Sequence, residues 1–342
     1  MESTMNLFAL TRTLVDIESI TGNECRVGEF VVQLLSELTG KFGGTAERIE
    51  VAPDRYNVFA CFGQPIVTLS THLDTVPPFF PSREDETDIW GRGACDVKGI
   101  IAAMICAATS LLEQGVRNFA LLFVVGEEKD SAGAYFAAAH PKGSRFLING
   151  EPSGNRLALG SKGALRYELN ATGRMAHSAY PELGESAILK LLDALERIRK
   201  IQLPSDETLG PCTLNIGLFS GGRAPNVVPD SASASLMFRL VGDPAPLRAA
   251  VRQAAGELAA DNEILCIPAV RLGSLPGLET TVVAYTTDIP AFGGQWGEPF
   301  LIGPGTIHVA HTSEERVPKA QLVEAVEIYA RMVRQLLASG TK

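Results

Sequence analysis

Several features that would fix a protein's class at once are missing from this chain. Its six cysteines, Cys25, Cys61, Cys95, Cys106, Cys212 and Cys266, are scattered, and no two form a CxxC pair. Thiols placed this way read as reduced cysteines of a cytosolic protein, not as a disulfide framework. Positive charge is in short supply: 30 Lys and Arg face 39 Asp and Glu, for a net charge of −9. That balance argues against a duplex nucleic acid as partner. No apolar run reaches the roughly 20 residues that a membrane-spanning helix needs. The longest, GIIAAMICAATSLL from Gly99 to Leu112, reads as a buried core helix. The opening MESTMNLFALTRTLVDIESI lacks the basic-then-apolar order of a signal peptide and reads as an amphipathic helix. There is no internal repeat and no low-complexity segment. The expectation is a cytoplasmic protein with neither a nucleic-acid nor a membrane partner.

What is present is the makings of two domains. A chain of 342 residues exceeds the usual size of one core, and 46% hydrophobic with 20% charged residues is an ordinary globular balance. Four apolar runs have the length and composition of buried strands: Ile66–Ser70, Ala120–Val125, Arg145–Ile148 and Pro299–Ile302. Helical patterns lie between them, so a mostly parallel sheet covered on both faces is expected. The middle of the chain differs. Ala164–Ala171 alternates, a helical stretch runs from about Ser186 to Ile201, CTLNIGLFSGG and DSASASLMFRL follow, Asp243 as N-cap and Pro244 at N1 open a second helix, and EILCIP closes the segment. This β-α-β-β-α-β order predicts a ferredoxin-like α+β insertion. The boundaries read as 162–268 for the insertion, with 1–161 and 269–342 forming the α/β domain.

Polar residues follow each apolar run, where ligands bind in open α/β sheets. His72 and Asp74 follow the first, Glu127 and Glu128 the second, Glu151 the third, and His308 and His311 the fourth, in GPGTIHVAH. Asp96 sits in the glycine-rich turn GRGACDVKG before the Gly99–Leu112 helix. Taken singly, HxD is commonly a hydrogen-bonded loop pair and Glu-Glu a solvated turn. Glu151 could cap a helix, either histidine could be a surface residue, and Cys95 could be a ligand or a small buried filler. Together they form a metal-binding set in which imidazole and carboxylate suit zinc, with cobalt or manganese as substitutes. The set exceeds the needs of one tetrahedral ion and fits two ions sharing a carboxylate. Such a pair would supply the positive charge that lets Glu127 and Glu128 sit side by side.

The ordered set STHLDTVP, GRGACDVKG, VVGEEKDSAG, NGEPS, GRMAHSAYPELGESAI, NVVPD and GPGTIHVAHTSEE resembles the M20 metallopeptidase and deacylase family, which includes acetylornithine deacetylase, succinyl-diaminopimelate desuccinylase and carboxypeptidase G2. The resemblance runs from about His72 to Glu315. It implies a di-metal hydrolase domain with an inserted lid and dimerisation domain. It implies that His72 and Glu151 bind one zinc, Glu128 and His311 the second, and that Asp96 bridges them. Glu127 matches the general base and Asp74 the acid that orients His72. His177 resembles the oxyanion-stabilising histidine that typically reaches across a homodimer formed by the inserted domains. Asn226 and Arg239 match positions that bind the substrate carboxylate. The expected substrate is an N-acyl amino acid or short peptide. VAYTTDIPAF (Val282 to Phe292 region) resembles the acetylornithine deacetylase segment, and the AHTSEE context favours the deacetylase or carboxypeptidase-like branches. The alternatives are a desuccinylase, a dipeptidase or carboxypeptidase, a hydrolase releasing an amino acid from a carrier protein, and, in another class, a non-catalytic binding protein on this fold. The compact link between Asp74 and Asp96 and the lean stretch from Pro268 to Pro299 depart from the family pattern, which bears on side-chain specificity.

Overall fold

Strands whose side chains are apolar on both faces need cover on both sides. The computed structural model of the chain, which describes residues 6–339, provides it. Val67–His72 and Phe119–Val124 are buried at every residue. They lie in a six-stranded sheet ordered Thr45–Ala52, Arg55–Phe62, Phe119–Val124, Val67–His72, Phe146–Asn149, Glu298–Leu301. The last four strands, which are the four apolar runs of the sequence, are mutually parallel. The first two form an antiparallel hairpin on one edge that the apolar runs do not announce. Thr45–Ala52 faces solvent along much of its length, and Arg55–Phe62 carries an amide in its interior.

That amide, Asn57, is fully buried. Its Nδ2 donates to the Gly133 carbonyl at 2.8 Å, and its Oδ1 accepts from the Val125 N–H at 3.1 Å. It therefore fastens the end of the Phe119–Val124 strand to the start of the Ala132–Ala139 helix, on either side of the Glu127–Glu128 turn.

Helices Leu7–Asp16, Cys25–Phe42, Gly99–Glu113 and Lys319–Ser339 contribute to the main core. The amphipathic helix expected at the start is Leu7–Asp16, capped by Asn6, whose Oδ1 accepts from the Ala9 N–H at 3.0 Å; residues 1–5 of that expectation lie outside the described residues. With the turn before it, the Gly99–Glu113 helix makes a 20-residue stretch, Ala94–Glu113, apolar enough to cross a membrane by length and composition, but 83% of its apolar window is buried inside the protein. It is a core helix, as its pattern suggested.

A second compact unit comprises Gly160–Arg271 and the strip Val282–Thr286. Its four-stranded antiparallel sheet is ordered Thr213–Gly221, Ser231–Leu240, Gly163–Thr172, Ala260–Ile267. Helices Ala187–Arg199 and Ala245–Ala255 complete the β-α-β-β-α-β order. Strand alternation buries Leu165, Tyr167, Leu169, Leu236 and Phe238 against Leu191, Leu195 and Val251. Two details differ from the sequence expectation. Pro244, not Asp243, is the N-cap of the second helix, while the Asp243 Oδ1 accepts from the Ala245 N–H at 2.9 Å. The strip Val282–Thr286 joins this unit through a Lys162 N–H donating to the Val283 carbonyl at 3.0 Å and a Ser161 hydroxyl donating to the Tyr285 carbonyl at 2.5 Å. A five-residue return whose bonds reach residues 121 and 124 positions away leaves no local trace.

Asn57→Ala leaves a buried N–H and a buried carbonyl unpaired, at about 1–3 kcal/mol each. Chemical denaturation should show the midpoint falling accordingly, and an unchanged midpoint would remove Asn57 from this role.

Candidate metal centre

His72 ends its strand, and a residue at the carboxyl end of a parallel strand points its side chain toward the ligand crevice. Its Nδ1 donates to the main-chain carbonyl of Asp74 at 2.9 Å, which fixes the ring and turns Nε2 to Asp96 Oδ1 at 3.2 Å. The Asp74 carboxylate is 3.5 Å from Nδ1. Its closer partners lie elsewhere. Oδ1 accepts from the N–H groups of Gly126 (3.0 Å) and Glu127 (3.1 Å), and Oδ2 from the N–H of Glu128 (3.2 Å) and the Thr21 hydroxyl (2.7 Å). Successive amides converging on one anion form a nest. Gly126 makes that turn at φ +84, where a side chain would also meet Arg55 and Asp130 at 2.9 Å. The stretch VVGEE is thus a buried strand, a left-handed glycine, and two glutamates held by their own backbone.

Asp96 lies in the Ala94–Lys98 turn with extended backbone, φ −123 and ψ 83. Its two oxygens face different imidazoles: Oδ1 is 3.2 Å from His72 Nε2 and Oδ2 is 3.2 Å from His311 Nε2. His311 also reaches Glu128 at 3.0 Å from a left-handed backbone, φ +63. Two donor groups result: His72 with Asp96 and Glu151, and Asp96 with Glu128 and His311, the donor atoms of each lying within 4.8 Å of one another. Asp96 belongs to both. Glu127 Oε2 stands 4.0 Å from His72 Nε2, in neither group.

Too much negative charge is gathered here for the imidazoles to balance. Burial pushes Glu127 and Glu151 well above the usual carboxylate range and Glu128 upward. Burial works against a proton on His72, yet the bonding carboxylates of Asp74 and Asp96 outweigh it and raise its pKa. Hydrogen bonds to Asp96 and Glu128 lift His311 to about 10. Asp96 is pulled below its ordinary range because the two imidazoles outweigh the cost of burial. An imidazole-and-carboxylate donor set with surplus buried anions, one of which presents an oxygen to each side, fits two divalent cations.

Three residues at this site carried no signal in the sequence. Glu315 is buried, and its carboxylate accepts from backbone amides of the Asp96 turn. Asp288 is buried with one unpartnered oxygen, and burial pushes it up to about 7. Arg55, paired with buried Glu24 at 2.6 Å, sits beneath the Glu127 turn. Each acquires meaning from partners far away in sequence. His308 is exposed and outside both donor groups. Cys95 is fully buried, contacts the Thr306 carbonyl at 3.4 Å, and acts as filler.

His177, Asn226 and Arg239 lie in the second unit. Ala176–His177 pairs with Val227–Val228, and the Ser178 N–H donates to the Asn226 carbonyl at 2.9 Å, so His177 and Asn226 line one concavity. They hang from the Ser231 end of the sheet. Arg239 pairs with Thr213 and Ala164 at the other end, eight residues or roughly 26 Å along the strand. The structure therefore does not bring Arg239 to Asn226 within one chain.

Folded-state pKa values raised above the unfolded ones, as for His72, His311, Glu127 and Glu151, contribute stability that is present below the unfolded pKa and lost as pH rises through the folded one. For His311 that window runs from 6.5 to about 10. Chelator-treated protein should melt at progressively lower temperature across this range, and protein reloaded with zinc should not. Parallel pH profiles for the two would contradict this charge balance.

The family model for peptidase family M20/M25/M40 matches residues 68–335. A peptidase M20 domain-containing protein of Schizosaccharomyces pombe is 38% identical, covering 96% of this chain and 84% of that protein. A probable carboxypeptidase of Emericella nidulans is 36% identical, covering 96% and 89%. In fold, the chain is similar to an aminopeptidase from Bacillus cereus, with a TM-score of 0.82 at 17% identity over 98% and 99% of the two chains. With the matched segment spanning both the donor groups and the inserted unit, the chain belongs to peptidase family M20/M25/M40 and is a hydrolase of amide and peptide bonds.

Proposed function

We propose that this chain is a di-metal amidohydrolase of carboxypeptidase type, cutting the amide bond that precedes a residue with a free α-carboxylate. One observation carries the proposal: Asp96 offers one oxygen to each of two donor groups, and each group has its own imidazole and second carboxylate. His72 and Glu151 would hold one ion and Glu128 and His311 the other, zinc by ligand preference, with cobalt or manganese as substitutes. Two such ions polarise a carbonyl and acidify a water when bound.

The chain's own residues do the rest. Glu127 stands beside the donor groups without belonging to either, and burial raises its hold on a proton. It takes the proton of the attacking water on its carboxylate and passes it to the leaving amine nitrogen. His177 Nδ1 accepts from the Ala179 N–H at 3.1 Å, so its neutral ring keeps Nε2–H to donate to the oxyanion. Arg239 is half-buried, and its side chain has no acidic partner among the described residues. A guanidinium in that state suits the substrate carboxylate, and Asn226 could add a polar contact only from a second copy of the chain.

The second unit also supports a homodimer. Leu218 (68% exposed) and Phe219 lie on its open edge strand, and Leu189 and Leu192 face solvent on the Ala187–Arg199 helix. An unpaired strand bearing large apolar side chains is a template for a second copy. The separation of Arg239 from the His177 corner within one unit adds to this reading, because the corner is then free to serve the site of the second copy. Sedimentation should give twice the chain mass, and Leu218→Lys should shift it toward one; a monomeric wild type would exclude the dimer.

The names of the fungal relatives favour peptides, whereas VAYTTDIPAF favours an N-acetyl amino acid such as N-acetylornithine. Amine release from N-acetyl, N-succinyl and dipeptide substrates, with zinc- or cobalt-loaded protein, decides between them. Glu127→Ala should retain metal and lose turnover by about 10²-fold or more. A near wild-type rate would reassign the base. Activity that survives chelation would overturn the whole proposal.

A further inference from the structure

Glu315 lies 219 residues beyond Asp96 in the chain, yet its carboxylate is built into the same turn. Oε1 accepts from the N–H groups of Gly93 at 2.8 Å, Cys95 at 3.3 Å and Asp96 at 3.2 Å. Oε2 pairs with Arg92 Nη1 at 2.5 Å. Glu315 is 1% exposed and Arg92 2%. Arg92 is itself pinned, with Nε donating to the Pro78 carbonyl at 3.2 Å and its guanidinium 4.9 Å from the centre of the Phe80 ring. A carboxyl oxygen accepting from three amides at once, with its other oxygen locked by a guanidinium, leaves that stretch of backbone little freedom.

The arrangement repeats that of Asp74. One buried carboxylate gathers three amides of the Gly126–Glu128 turn, and the other gathers three of the Gly93–Asp96 turn. Neither Asp74 nor Glu315 belongs to a donor group. We propose that Glu315, locked by Arg92, is a positioning residue that sets the direction of the Asp96 carboxylate, so that one oxygen faces each of the two donor groups. The inference rests on the two-ion reading of the site. It assigns to Glu315 a task that a buried acid of merely structural use would not have, since it acts on both metal positions through the residue they share.

The test compares wild type with Glu315→Gln, which keeps the shape and one acceptor oxygen but faces Arg92 or the amides with an NH2 group. Chelator-treated proteins are titrated with zinc by calorimetry, and cobalt-loaded samples are examined by visible absorption. Wild type should take two ions per chain. E315Q should bind both about 10–100-fold more weakly, the scale typical of residues that orient metal ligands, and should show a changed cobalt spectrum. A lower melting temperature of the stripped variant, with wild-type affinities and an unchanged spectrum, would reduce Glu315 to a structural role and overturn the proposal. Should E315Q not fold, Arg92→Met, which releases the far oxygen and lets the carboxylate turn, is read by the same two measurements, with the same outcomes deciding. Wild type that binds fewer than two ions would instead overturn the two-ion reading, and this inference with it.

Discussion

The convergence of Asp96, Glu127, Glu128 and Glu151 on two imidazoles beyond the carboxyl ends of the parallel strands is the constraint to which the neighbouring structure answers. Two like charges 4 Å apart repel by about 4 kcal/mol even at an effective dielectric of 20. Part of the answer is backbone hydrogen bonding. The turns that carry these acids direct their N–H groups away from the crevice and onto Asp74 and Glu315, so the acids' own backbone is spent holding them still. Arg55 and Arg92 supply positive charge behind those turns, each against a buried carboxylate. What they leave unbalanced on the crevice side is the negative charge that divalent cations can meet.

The parallel strands and the acids at their ends were legible because both are local. A run such as ALLFVV states its burial without reference to anything else, and the residues just past it inherit a position at the crevice. The same holds for the inserted unit, where alternation in DSASASLMFRL and a serine before an amphipathic run each specify one element. The edge hairpin was not legible, since Thr45–Ala52 is mostly solvated and Asn57 breaks the apolar pattern of its partner strand. Nor were Glu315 and Asp288, because a glutamate in HTSEE and an aspartate in TTDIP look like solvated loop residues until distant backbone closes over them. The role of Asp74 was only half visible. Its main-chain carbonyl orients His72 with its carboxylate 3.5 Å from the same ring nitrogen, and that carboxylate also holds the glutamate turn.

Within the second unit, position along one strand separates two groups that sequence reasoning had joined. Arg239 and the His177–Asn226 corner are both exits from the same four-stranded sheet, but opposite ones. Strand rise is fixed, so no side-chain rearrangement removes eight residues of distance. Assigning residues to a substrate from family position alone does not carry the information about which copy of the chain presents them.

The order in which the ribosome makes these parts has a consequence of its own. Asp96, Glu127, Glu128 and Glu151 are synthesised first, and His311 and Glu315 follow 160 or more residues after Glu151. Until that segment emerges, the polypeptide carries its acids without the buried acceptor that orders the Asp96 turn, and without the second imidazole. The Asp96 turn and the second donor group are therefore completed together by the His311–Glu315 segment, and only once it docks.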